Sequence, residues 1–221
     1  MKSGESFDFR NCTEQRKDEF VKGILSVQDL FIREFGIITY VDFGTLLGAV
    51  RDNNFIDYDT DIDMTYLSKF SDVNDIRKEQ DKIYDFFKNK NMLKADFRTR
   101  AILPHYGQIH IKLHDIGMIV DITTGWIGRF GNYYVFPYGK IGRKEDVLPL
   151  KVIPFRKEFI NVPNNSEKLL EFLYNDWRKP INRGGDGTSR EGFKRSWNYK
   201  LLALSFFFWL NEIIFSMENY V

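Results

Sequence analysis

Within Asp57-Tyr58-Asp59-Thr60-Asp61-Ile62-Asp63-Met64, aspartates recur at every second position. In an extended strand residues two apart point the same way, so Asp59, Asp61 and Asp63 share one face while Tyr58, Ile62 and Met64 take the other. Parallel carboxylates at that spacing repel unless a cation lies between them. Hard oxygen ligands suit Mg²⁺ or Mn²⁺, and either ion brings phosphate groups with it. An acidic strand edge that discourages aggregation is the alternative without chemistry.

Two further features weigh toward chemistry. Gly44-Thr45 lies just upstream and opens a short helix, Leu46 to Arg51, with Thr45 as its N-cap. Backbone N–H groups at such a turn, with the Thr45 hydroxyl, suit a phosphate, and Arg51 two turns along is a second phosphate candidate. Asp121 interrupts the apolar run Met118-Ile119-Val120-Asp121-Ile122, where a buried carboxylate is costly unless it meets a cation or hydrogen-bond donors. Pairing of that strand beside the one bearing Asp61 and Asp63 would complete a site of three carboxylates. Asp61, Asp63 and Asp121 are the expected metal ligands and catalytic acids, with Asp121 as base or as the ligand nearest the nucleophile. Such a set supports metal-assisted phosphoryl transfer, in which bound ions hold the phosphate and stabilise the attacking and departing oxygens in line.

The elements that must carry these residues alternate between helix and strand. Phe20, Ile24, Val27, Phe31 and Phe35 recur at helical spacing over residues 17–35, and Gly36 stands where a C-cap belongs. Ile37 to Phe43 reads as a first strand and Tyr58 to Tyr66 as a second. Ser71 or Asp72 caps a helix whose apolar face is Val73, Ile76, Ile83 and Phe87. Gln108–Leu113 and Met118–Thr123 flank the turn His114-Asp115-Ile116-Gly117 as a hairpin. The glycine- and proline-rich stretch over 125–149 reads as loop, Asn164 or Ser166 opens a helix through Tyr174, and 181–188 reads as a flexible loop. The expected fold class is α+β, a mixed β-sheet flanked by helices. One catalytic domain spans 1–180, with 181–221 as a loop and C-terminal apolar helix packed on it.

At these residues the chain resembles the LicD family of the nucleotidyltransferase-like fold, which includes fukutin and fukutin-related protein. The matching run is Gly44-Thr45-Leu46-Leu47-Gly48-Ala49-Val50-Arg51, followed by Phe55-Ile56-Asp57-Tyr58-Asp59-Thr60-Asp61-Ile62-Asp63. The family usually shows three consecutive acids before its last Ile-Asp, and Thr60 stands where the middle one would be, on the side away from the expected metal face. A second likeness covers Leu148-Pro149-Leu150, Val162-Pro163-Asn164-Asn165 and Leu173-Tyr174-Asn175-Asp176-Trp177-Arg178-Lys179-Pro180, with Asn175 where the family commonly has Gly. The resemblance runs from Val21 to Pro180 and implies a nucleotidyltransferase-like sheet. It also implies transfer of a phosphorylated alcohol (phosphorylcholine or ribitol phosphate) from a CDP-linked donor such as CDP-choline to a sugar hydroxyl. The acceptor is then a glycan or glycolipid, and CMP is released. Carried over position by position, Asp61 and Asp63 resemble the metal ligands, Asp121 the third carboxylate, and Gly44 and Thr45 the phosphate-contacting turn.

Around this nucleus stand further candidates. Lys112 shares a strand face with His110 and His114 and suits a donor phosphate, as do Arg98 and Arg100; solvated side chains are the alternative. His105, His110 and His114, all the histidines, lie within ten residues but lack a fourth ligand for zinc. Trp126, Tyr133 and Tyr138, near Tyr134, are cargo-binding candidates because aromatic faces attract a quaternary ammonium; packing the loops together is the alternative.

Composition narrows the partners. The 221 residues carry 32 basic and 31 acidic side chains, a net charge of +1, which argues against a dedicated nucleic-acid binder. A single cysteine, Cys12, excludes an internal disulfide framework and a multi-cysteine zinc site. The polar N-terminal residues lack the apolar stretch of a signal peptide, and the longest apolar run, Leu201 to Phe215, is shorter than the roughly 20 residues that span a bilayer. That run reads as a buried C-terminal helix, with peripheral membrane contact through Phe206-Phe207-Phe208-Trp209 as the alternative. The expectation is a cytoplasmic enzyme, at the inner face of a membrane where that helix docks. Its rivals are a true nucleotidyltransferase releasing pyrophosphate, and a catalytically silent carbohydrate-binding or scaffold protein on the same fold.

Overall fold

The structure, a computed structural model, describes residues 8–94, 108–136, 138–174 and 176–180. The expectations for Arg98, Arg100, His105, Asn175, the loop 181–188 and the run Leu201–Phe215 lie outside these residues.

Helix α1 spans Glu14–Phe35. Thr13 caps it by accepting from the Arg16 N–H, and Gly36, at φ 60°, ends it in the left-handed conformation that a Cβ disfavours. The chain continues through β1 (Thr39–Val41), α2 (Phe43–Asp52), β2 (Ile62–Leu67), α3 (Val73–Asn89), β3 (Gln108–Leu113) and β4 (Met118–Ile127). Then follow β5 (Asn132–Val135), β6 (Gly139–Arg143), α4 (Lys144–Val147), β7 (Lys151–Phe155), β8 (Glu158–Val162) and α5 (Ser166–Leu173).

Six strands make a mixed sheet in the order β1-β2-β4-β5-β6, with β3 also paired to β4, as the α+β reading expects. β2 and β4 run parallel, and the other pairs are antiparallel. Their register aligns side chains in rows. Ile62, Val120 and Ile111 form one row and Met64, Ile122 and Ile109 another, all buried. Helices α1 and α3 cover that face: Phe31 stacks on Tyr66 with ring centres 5.7 Å apart and lies 5.9 Å from Phe87. Each large side chain fully buried there contributes roughly 1.5–3 kcal/mol. Because strand side chains alternate, the rows between these must point the other way, and they are polar. β7 and β8 form a separate hairpin. Among the described residues no helix is long and apolar enough to cross a membrane.

Several boundaries differ from the sequence reading. The second strand begins at Ile62 rather than Tyr58. Ahead of it the Asp59 N–H donates to the Ile56 carbonyl (3.0 Å), while Phe9 and Arg10 N–H groups donate to the Asp59 (3.0 Å) and Asp57 (2.8 Å) carbonyls. The backbone there is tied to a turn at Phe9–Asn11 instead of a sheet neighbour, so Asp59 and Asp61 arrive on a loop and not on a strand face. The first strand is short because Asp42 caps α2: its carboxylate accepts from the Phe43 N–H (2.9 Å) and its carbonyl from the Leu46 N–H (3.0 Å). Thr45, expected as the cap, lies inside the first turn. At α3 the cap is Asp72, which accepts from the Asn74 and Asp75 N–H groups.

The stretch 125–149, read as loop, holds the end of β4, the β5–β6 hairpin and α4. Gly131 at φ 73° and Gly139 at φ 72° take left-handed turn positions, while Gly125 and Gly142 lie within β4 and β6. The β7–β8 hairpin carries no turn signal, since Arg156 takes the left-handed position (φ 56°) that usually belongs to Gly or Asn. Tertiary bonds hold it there: Arg156 donates to Asn54 Oδ1 (2.7 Å), Asp18 Oδ1 (2.8 Å) and Glu14 Oε2 (2.8 Å), and its backbone N–H to Asn53 Oδ1 (2.9 Å).

Candidate active site

On the polar face of the sheet, one row across β2, β4 and β3 consists of Asp63, Asp121 and His110. The parallel pairing of β2 with β4 sets Asp63 directly beside Asp121. The loop before β2 adds Asp59 and Asp61, so that one oxygen each of Asp59, Asp61 and Asp63 lies within 4.8 Å of the others. Asp121, paired with Asp63 in register, adjoins the group closely enough for its charge to act on Asp61.

The N-terminus of α2 closes the cluster from the other side. The Gly44 N–H donates to Asp63 Oδ2 (3.0 Å), and the Asp63 N–H donates to the Thr45 hydroxyl (2.9 Å). Glycine at position 44 leaves room for the carboxylates to come this close, because a Cβ there would stand 2.4 Å from Asp59 Oδ2 and 3.0 Å from Asp63 Oδ2. Behind this turn Asp42 is fully buried and accepts from the Thr65 hydroxyl (2.8 Å). Tyr174, buried just beyond α5, is also close: burial first, then the charges of Asp63, Asp59 and Asp42, push its phenol well up.

These carboxylates oppose one another. Burial first, and then the charges of Asp59, Asp61 and Asp121, push the Asp63 carboxyl well above the usual range, against the Gly44 N–H. Asp61 is raised by burial and by Asp121, while a hydrogen bond with Asp59 and the charge of Lys94 act the other way. Asp42 is pushed up to about 6 by burial. An oxygen-only donor set under this much strain, framed by a glycine whose Cβ would fill the space, fits a hard divalent cation.

The same shifts fix how the metal-free protein responds to pH. An acid with a raised native pKa takes up protons on folding, so stability falls as pH rises from the unfolded value to the native one and is level above it. For Asp42 that window runs from 3.8 to about 6. At about 1.4 kcal/mol per unit, Asp42 alone accounts for about 3 kcal/mol across it. Asp61 and Asp63 shift in the same direction. In EDTA the protein is expected to melt higher at about pH 5 than at about pH 7.5, with Mg²⁺ reducing the difference by favouring the ionised cluster. A metal-free melting profile that peaks at neutral pH would contradict this.

The segments that build the cluster are those a known family shares. A family model described as LicD/FKTN/FKRP, nucleotidyltransferase domain, matches residues 36–165, more than half of the chain. The chain belongs to the LicD family. The match takes in Asp42, Gly44, all four clustered aspartates and His110, and leaves out Tyr174 and the Phe9–Asn11 turn. Among solved structures, this LicD-family chain is similar to a STING-associated CdnE c-di-GMP synthase from Capnocytophaga granulosa, at 14% identity and a TM-score of 0.40. The similarity covers 58% of this chain and 40% of the synthase, so the chain spans less than half of that protein's length. No curated protein matches it.

The remaining candidates of this LicD-family protein fall in different places. Arg51 is engaged at the far end of α2, donating to Asp52 Oδ2 from Nε (2.9 Å) and from a terminal nitrogen (2.8 Å). Lys112 is exposed on the acid face of β3, one step beyond His110. The three aromatics are not gathered together. Trp126 stacks on Tyr134 (5.3 Å, 9°), Tyr138 tilts against Phe43 (5.0 Å), and Tyr133 is fully buried with its hydroxyl on that of Tyr40. Of the histidines, His110 meets Asp121, and His114 Nε2 meets the Asn91 carbonyl (2.9 Å). Among the described residues the cluster with metal-ligand spacing is the aspartate one, without histidine.

Sequence reasoning passes over Asp42, Tyr174, Lys94 and the tie between His110 and Asp121. Tyr174 had a signal, since it stands in the second stretch of family likeness. Asp42 had a weaker one, an acid closing an apolar strand run just before Gly44.

Proposed function

We propose that the protein is a metal-dependent phosphotransferase moving a phosphorylated alcohol, of the phosphorylcholine or ribitol phosphate type, from a CDP-linked donor to a sugar hydroxyl of a glycan or glycolipid. The observation that carries this reading is the convergence of Asp59, Asp61 and Asp63 against Gly44, with Asp121 alongside. The sugar oxygen bonds to the donor phosphorus bearing the alcohol, the bond from that phosphorus to the bridging oxygen breaks, and CMP departs. The hydroxyl proton passes to Asp121, the acid placed next to the ligand cluster. Asp59, Asp61 and Asp63, with Asp121 beside them, would hold Mg²⁺ or Mn²⁺, which would neutralise the donor phosphates. Lys94, which acts on Asp61 by its charge, and Lys112, on the same face of β3, attract the diphosphate from one side. Gly44 and Thr45 act on Asp63, holding its carboxylate and its backbone N–H respectively. The catalytic unit spans 1–180, with 181–221 appended to it.

Calorimetric titration with CDP-choline, CDP-ribitol, CTP and ATP, each with and without Mg²⁺, tests the proposal. Metal-dependent binding of one CDP-alcohol in preference to CTP is the expected result and identifies the cargo. Preference for a triphosphate would replace the proposal by a nucleotidyltransferase that releases pyrophosphate. Silence from all four with metal present would favour a carbohydrate-binding or scaffold protein.

A further inference from the structure

The row Asp63-Asp121-His110 contains a side chain to which the reaction above gives no task. His110 stands directly opposite Asp121 in the β3–β4 pair, and its Nδ1 meets Asp121 Oδ1. A carboxylate only accepts, so this contact places a proton on Nδ1. Gln108, two residues along the same face of β3, reaches the other Asp121 oxygen from Nε2 at 3.4 Å. The His110 and Asp121 side chains are 19% and 13% exposed, so water competes weakly for either.

The ring also rides on a fixed backbone. β3 pairs with β4 on one edge, and on the other the Lys94 N–H donates to the His110 carbonyl (2.9 Å) and the Lys112 N–H to the Met92 carbonyl (2.7 Å). Register alone selects the partner, since a slip of one residue would set Ile109 or Ile111 against Asp121.

We propose that His110 is a positioning residue for Asp121: its Nδ1–H holds Oδ1 and so aims the rest of that carboxylate at Asp61 and the metal cluster. This rests on the reading of Asp121 as part of the phosphoryl-transfer site. Metal sites commonly use a carboxylate to orient a ligating imidazole, and here an imidazole orients a carboxylate by the same bond. Partners of this kind change metal affinity by roughly 10–100-fold when removed.

The test is calorimetric titration of Mn²⁺ into the full chain and into His110→Leu, His110→Asn and His110→Gln, with melting temperatures taken in EDTA. Asn keeps an N–H near the place of Nδ1, whereas Gln moves it toward the place of Nε2. His110→Leu and His110→Gln are expected to weaken Mn²⁺ binding about tenfold or more. His110→Asn should recover most of the affinity, and the metal-free melting temperatures should stay together. Equal Mn²⁺ affinity in all four proteins overturns the inference, as does a loss that Asn shares with Gln. If His110→Leu fails to fold, Asn against Gln decides. Failure of the parent chain to bind Mn²⁺ would instead overturn the metal reading of the site.

Discussion

Replacing Asp63 by Asn or Ala is expected to lower the transfer rate by at least about a thousandfold, because several kcal/mol of transition-state stabilisation are lost and each 1.4 kcal/mol is tenfold. The same substitutions are expected to raise the melting temperature measured in EDTA at neutral pH. Both outcomes come from one carboxylate. Asp63 is the member of the Asp59–Asp61–Asp63 cluster that sits on a regular strand, with Oδ2 taking the Gly44 N–H (3.0 Å). Its carboxyl is pushed well up by burial and by Asp59, Asp61 and Asp121, so without metal its charge works against the fold. Asn keeps an oxygen for the Gly44 N–H while removing that charge. A gain in stability together with a loss of function is the signature of a residue held for chemistry rather than for folding. Turnover near the parent's at saturating Mg²⁺ would refute the ligand assignment. Lower metal-free melting temperatures in both variants would mean that Asp63 supports the fold itself. Asp61→Ala is expected to act in the same direction.

What the sequence discloses about this site depends on how local each cause is. Helix α1 is legible because its stripe from Phe20 to Phe31 and its Gly36 stop lie within its own residues. The Asp63–Asp121 pairing is legible because an acid inside an otherwise apolar strand needs a polar neighbour, and the neighbouring acidic strand supplies one. The start of β2 is not legible: alternation continues back to Tyr58, but bonds from Phe9 and Arg10, far away in the chain, take the backbone of 57–59 out of the sheet. Asp59 thus reaches the cluster by a loop that periodicity cannot foresee. His110 shows the same limit. As a residue type it suits a metal as well as a carboxylate, and only the register of β3 on β4 assigns it to Asp121. Arg156 hides a hairpin because four polar groups on α1 and at the end of α2 hold it in a conformation its type disfavours.

Gly44→Ala is expected to cut transfer about a hundredfold, the typical cost of misplacing a reacting group by roughly 1 Å, while changing stability little. Position 44 lies within α2, so the backbone itself accepts alanine, which favours a helix over glycine by about 0.5–1 kcal/mol. The added Cβ, however, would stand 2.4 Å from Asp59 Oδ2 and 3.0 Å from Asp63 Oδ2, and one of these carboxylates must move. Asp59 is the nearer, and its side-chain end is the part that must turn aside. Its carbonyl is held by the Phe9 N–H (3.0 Å) and its Oδ1 by the Thr60 N–H (3.0 Å). Displacement therefore opens the triad of Asp59, Asp61 and Asp63, and Mn²⁺ affinity should fall along with turnover while the metal-free melting temperature holds. The variant also separates two ligand sets. If Gly44→Ala binds Mn²⁺ and turns over as the parent does, Asp59 is dispensable, and the working acids are Asp61, Asp63 and Asp121. If both fall together, the loop acid that strand periodicity misplaced is part of the metal site.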